Sequence, residues 1–72
     1  MSKLLSRKLQ EFTGKRVSVS IEGNEGFKGT LVDFDSEVLV LKDVSHFMDY
    51  DGKKVRELVI SLTNILWIVL ED

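Results

Sequence analysis

Gly29-Thr30-Leu31-Val32-Asp33-Phe34-Asp35-Ser36-Glu37-Val38-Leu39-Val40-Leu41 is the stretch whose reading decides the fold of this chain. Two apolar-rich runs flank the polar triplet Asp35-Ser36-Glu37, the pattern of two strands joined by a short turn. Gly29 has no side chain to pack, so a strand that carries it bends sharply or bulges there. The expectation is a small, strongly bent antiparallel sheet that associates through its edges.

Toward the N-terminus, Val17, Val19 and Ile21 alternate with Ser18, Ser20 and Glu22, the period of a half-buried strand. The turn Gly23-Asn24-Glu25-Gly26 closes a hairpin onto a second strand at 27–34. Further upstream, Leu5, Leu9 and Phe12 recur at helical spacing, so residues 2–12 form a short amphipathic helix. Ser2 suits its N-cap and Gly14 its exit. Toward the C-terminus, a third strand covers 38–47, and the polar segment 48–54 is a hairpin loop. Strands at 55–61 and 65–70 follow, separated by Leu62-Thr63-Asn64.

Those last two strands break the alternation. Leu58-Val59-Ile60 and Ile65-Leu66-Trp67-Ile68-Val69-Leu70 are apolar on both faces. A chain of 72 residues has too little mass to cover a strand twice, and it has no cysteine for a disulfide or thiolate metal site. A second copy is therefore the expected cover, and pairing of two different edges generates a ring where the rotation closes. A charge in place of Ile68 is expected to break that assembly. The chain reads as one domain, 1–72. It has neither the apolar core of a signal peptide nor a membrane-spanning run, so a cytoplasmic protein with no membrane partner is expected.

The formal charge of −2 conceals an uneven distribution. Through residue 16 the chain carries Lys3, Arg7, Lys8, Lys15 and Arg16 against Glu11 alone, whereas acids dominate the remainder. Lys3, Arg7 and Lys8 are either the solvated face of the helix or a contact for a phosphate backbone.

With these elements in view, the chain resembles the Sm and Sm-like (LSm) proteins, the small archaeal members above all. Gly29-x-Leu31-x-x-x-Asp35 is similar to the opening of the family's first motif, and residues 59–68 stand where the second motif should be. The resemblance implies an N-terminal helix followed by five bent antiparallel strands in a small open barrel. It also implies a homo-oligomeric ring joined through the last two strands, with single-stranded RNA bound near the pore, in RNA processing or turnover. Family members that bind uridine usually carry an asparagine four residues after the motif aspartate; here that position is Leu39. The family's usual Arg-Gly before the final strand is here Ser61-Leu62.

What remains at the two turns is polar: Asp35, Ser36, Glu37, Ser61, Thr63 and Asn64. These, with Lys3, Arg7 and Lys8, are the candidate RNA-binding residues. Each has a plainer reading as well. Asp35 is expected to accept hydrogen bonds from turn amides, and Asn64 to suit the left-handed conformation of a tight turn.

Nothing in the chain reads as an enzyme or cofactor site. The single histidine, His46, stands in an apolar run and has no triad partners. Asp33 and Asp35 would share a strand face only without a bulge between them, and Asp49-Tyr50-Asp51-Gly52 lacks the rest of a calcium loop. Trp67, flanked by aliphatics, is expected in the core or an interface rather than as a stacking platform. Two function classes follow: an RNA-binding ring, or a protein-interaction scaffold that has kept the fold and lost the nucleotide site.

Overall fold

The computed structural model describes residues 2–22, 25–46 and 55–71. Helix α1 spans Lys3–Phe12, and the side chain of Ser2 caps it by accepting from the Leu5 amide at 3.0 Å. The helix stops at Thr13, whose hydroxyl donates to the Leu9 carbonyl at 2.8 Å. Gly14 then turns the chain with a φ of 87°, a value that favours glycine. Its amide donates to the Leu31 carbonyl, which ties the helix exit to the sheet.

Five antiparallel strands follow: β1 Arg16–Ile21, β2 Glu25–Phe34, β3 Val38–His46, β4 Val55–Ser61 and β5 Ile65–Leu70. A short 3-10 turn, Leu62–Asn64, joins the last two. The spatial order is β4-β3-β2-β1-β5, so β4 and β5 lie at opposite edges of one sheet. The expected loop 48–54 and the last residue of the expected third strand, Phe47, lie outside the described residues.

Gly29 is the bend. On either side of it Lys28 pairs with His46 and Thr30 with Lys42, so the single residue Gly29 faces the longer stretch Asp43, Val44 and Ser45. A Cβ on Gly29 would stand 3.0 Å from the Lys42 carbonyl oxygen and 3.3 Å from both Leu41 Cβ and Val44 Cγ2. Asp43 absorbs the extra length on β3 with a φ of 52°, and the Arg16 guanidinium holds its carbonyl at 2.8 Å. A second irregularity lies between Leu31 and Asp33, and β2 ends at Phe34, so Asp35 stands in the turn rather than on the strand face of Asp33.

The bent sheet wraps a core of Leu9, Val17, Val19, Phe27, Leu31, Leu39, Leu41, Val44 and Ile60. At the edges the apolar surplus remains outside: Val59 on β4 is 56% exposed, and Leu66, Trp67 and Val69 on β5 are 60%, 52% and 47% exposed. Leu66 is the extra residue where the β1–β5 register shifts. Trp67 therefore does not belong to the core; it pairs with Ser20, across from the face that carries buried Val19. Among the described residues no helix is long and apolar enough to cross a membrane.

Candidate nucleic-acid interface

Two turns far apart in the chain are brought together at one end of the sheet. The β2–β3 turn is closed by the Asp35 amide, which donates to the Val38 carbonyl at 2.9 Å. Asp35 Oδ1 accepts from the amides of Glu37 at 2.7 Å and Val38 at 2.9 Å, so the carboxylate does inside the turn what a backbone carbonyl would do. The Glu37 hydrogen bond, followed by that of Val38, holds the Asp35 carboxyl below the ordinary aspartate range. The expected accepting role of Asp35 is what the geometry displays.

The 3-10 turn joins from the other side. The Leu62 amide donates to the Glu37 carbonyl at 2.8 Å, while Val38 pairs with Ser61 in the β3–β4 ladder. Ser61 Oγ and Thr63 Oγ1 lie 2.9 Å apart, and the Asn64 carbonyl accepts from the Glu22 amide at 3.1 Å. Asn64 belongs to a right-handed 3-10 turn, which corrects the expectation of a left-handed residue there. Among the described non-glycine residues, the positive φ belongs to Asp43. Ser36, Glu37, Thr63 and Asn64 are exposed, and Ser61 is half-buried.

Leu39 is fully buried, paired with Phe34 on one side and Ile60 on the other. The residue four positions after Asp35 thus faces the core rather than the turns. Leu62 packs against the same core. Neither position presents a polar group beside the turns.

The helix stands at this end of the molecule too. Leu5 and Leu9 line a cavity of about 200 Å³ together with Leu39, Leu62, Ile65 and Ile68. Lys3 and Arg7 are exposed on the side of the helix opposite that stripe, and Lys8 is exposed at its flank. Lys8 forms an ion pair with Glu11 at 3.2 Å, a contact for which the sequence spacing of three residues is the signal. Arg16, grouped with these cations by sequence, is instead drawn to the Asp43 carbonyl.

One charged network had no local signature. Glu71 accepts from the Ser18 hydroxyl at 2.6 Å and pairs with Lys28 at 3.2 Å, joining three segments that only the folded sheet aligns. The Ser18 hydrogen bond, then that of Lys28, holds the Glu71 carboxyl below the ordinary glutamate range. His46 lies on β3, but its side chain is outside the described residues. Among the described residues no group of three or more acidic, histidine or cysteine side chains could hold a metal ion.

The family model for the LSM domain matches residues 7–70. No curated protein matches the sequence. Among solved structures, a conserved hypothetical protein from Pyrococcus furiosus is 40% identical, with 96% of this chain and 100% of that chain covered and a TM-score of 0.80. A heptameric SmAP1 from P. aerophilum is 27% identical, covering 100% and 99% of the two chains with a TM-score of 0.81. The Sm protein of Pyrococcus abyssii, solved in complex with a uridine heptamer, has the same fold at 23% identity, with 99% and 100% coverage and a TM-score of 0.78. With 64 consecutive positions from Arg7 to Leu70 matched, and with the helix and five bent strands in place, the chain belongs to the LSM family of Sm-like proteins.

Proposed function

We propose that this protein assembles into a closed homo-oligomeric ring through β4 and β5 and binds single-stranded RNA, acting without chemistry of its own in RNA processing or turnover in the cytoplasm. The observation that carries the proposal is the sheet order. The two strands with surplus apolar surface are the two free edges, so β4 of one copy finds unpaired backbone groups and apolar side chains on β5 of the next. Such pairing is heterologous and runs on until it closes. The heptameric assembly of a similar protein supports this.

RNA binding is supported by the convergence of the two turns and the helix at one end, and by the uridine complex of a protein with this fold. Lys3 and Arg7 would neutralise phosphates. Lys8 would join them, because an exposed pair such as Lys8–Glu11 is worth little and exchanges easily. Ser36, Glu37, Ser61, Thr63 and Asn64 would meet the bases, with Asp35 holding their frame. Buried Leu39 favours the second reading, a protein-interaction scaffold, because it leaves the turns without the family's base-reading asparagine.

Light scattering, with fluorescence anisotropy of labelled oligouridine and oligoadenine at two salt concentrations, separates the readings. The RNA-binding ring has a mass well above that of one chain and an affinity that falls steeply with salt. A well-formed ring that binds neither strand supports the scaffold. Val69→Glu should reduce the mass toward that of one chain, since Val69 is exposed on the outer face of the β5 edge. It is a cleaner probe than Ile68, which pairs with buried Val19 and would report on the core as well. An unchanged mass for Val69→Glu would remove β5 from the joint.

A further inference from the structure

We infer that the paired turns select guanine among the RNA bases, with the Glu37 carboxylate as the specificity-determining group. The inference rests on the RNA-binding reading above.

Glu37 is held at both of its backbone groups. Its amide donates to Asp35 Oδ1 at 2.7 Å and its carbonyl accepts from the Leu62 amide at 2.8 Å. The side chain is exposed, and its backbone is bonded to Leu62, the residue between Ser61 and Thr63, whose hydroxyls lie 2.9 Å apart. Asp35 is engaged inside the turn, and Asp33 Oδ1 accepts from the Phe34 amide at 2.9 Å. Within the β2–β3 turn, Glu37 is thus the carboxylate left to face outward.

The donor and acceptor pattern of the bases then decides. The Watson–Crick edge of uracil presents acceptor, donor, acceptor, so a carboxylate that takes the central N3–H meets a carbonyl oxygen on each side. Cytosine and adenine each offer an amino group beside a bare ring nitrogen. Guanine offers two adjacent donors, N1–H and the N2 amino group. These match the two oxygens of one carboxylate in the same parallel geometry by which a guanidinium meets a carboxylate. Guanine O6 is then left for a donor, and the Ser61 and Thr63 hydroxyls or the Asn64 amide supply one within the same turn pair. RNA is read on such edges when single-stranded bases are splayed from their neighbours. The cations of α1 supply the attraction for phosphate that an acidic turn cannot.

The test compares labelled guanine–uridine, adenine–uridine and all-uridine oligomers of equal length by anisotropy, in lithium buffer to suppress guanine quadruplexes. The guanine-containing strand should bind about tenfold more tightly, the discrimination that one charge-assisted donor pair supplies. Inosine in place of guanosine removes the N2 amino group and should abolish most of that preference. Glu37→Gln, whose exposed side chain leaves the turn's backbone bonds in place, should bring the strands to similar affinity while keeping the oligomeric mass. Binding without a guanine preference, or a preference that survives Glu37→Gln, overturns the inference and leaves the RNA-binding reading standing. No binding of any strand by an intact ring overturns both.

Discussion

The bend at Gly29 and the turn that carries Glu37 lie on the same two strands, yet the chain is constrained at them in different ways. At the bend, the limit is space: any Cβ on Gly29 meets the β3 backbone at 3.0 Å. At the turns, the limit is hydrogen bonding: Asp35 and the Glu37 carbonyl close the frame, and the side chains that point away are unconstrained by the fold. A steric requirement preserves one residue type. A backbone frame preserves a shape and leaves the chemistry of its exposed side chains, Ser36, Glu37, Thr63 and Asn64, open.

The largest effect should come from attacking the bend. Gly29→Val pushes a branched side chain into the Lys42 carbonyl, Leu41 and Val44, and overpacking of this kind costs about 3 kcal/mol. Urea denaturation at a fixed protomer concentration reads it, since association contributes to the stability of an oligomer. A variant as stable as the parent would show that the bend tolerates a side chain and that the contrast with the turns is false.

A smaller loss is expected at the turn frame. Asp35→Ala removes the acceptor for two amides, but these lie at the surface where water replaces it, so the variant should fold with reduced stability well short of the Gly29→Val loss. Its more specific consequence concerns Glu37, whose amide loses its anchor. Any base preference measured on the parent should weaken in Asp35→Ala even though Glu37 is unchanged. A preference that is retained in full would mean that the Asp35 bonds do not position Glu37.

How much of this was legible beforehand follows the same division. Gly29, Asp35, Ser2 and Gly14 were readable because each acts through its own backbone or a near neighbour. Helix α1 begins one residue later than the periodicity indicates, because Ser2 serves as its cap. The second strand begins at Glu25 rather than residue 27, since the sheet extends its ladder into the expected turn through Ile21 and Glu25. The aliphatic neighbours of Trp67 point to the core or an interface; its face depends on the register with β1, which local sequence does not encode. The same holds for Asp43, where neither glycine nor asparagine marks the positive φ, and for Arg16, whose acceptor lies 27 residues away. At the site, the polar residues of both turns are legible, but not that Glu37 is tied at both backbone groups, because the Leu62 bond crosses between turns.

The mildest test uses pH to compare the turn frame with the Ser18–Lys28–Glu71 network. Asp35 and Glu71 both have carboxyls held below their ordinary ranges, the first by backbone amides and the second chiefly by the Ser18 hydroxyl. A depressed carboxyl favours the folded state above its unfolded pKa, and that contribution is lost as pH falls through the folded value. Below about pH 4.5 the unfolded chain binds protons that the folded chain does not, so stability should decline with falling pH. Ser18→Ala removes the largest cause at Glu71 and leaves Asp35 untouched, so its stability should decline less steeply as pH falls below about 4.5. Asp35→Ala should flatten the same curve independently, because the two groups share no hydrogen-bond partner. A low-pH slope unchanged by either substitution would show that the carboxylates frame the fold without being favoured by it, and the hydrogen-bonded turn would then owe its shape to the strands alone.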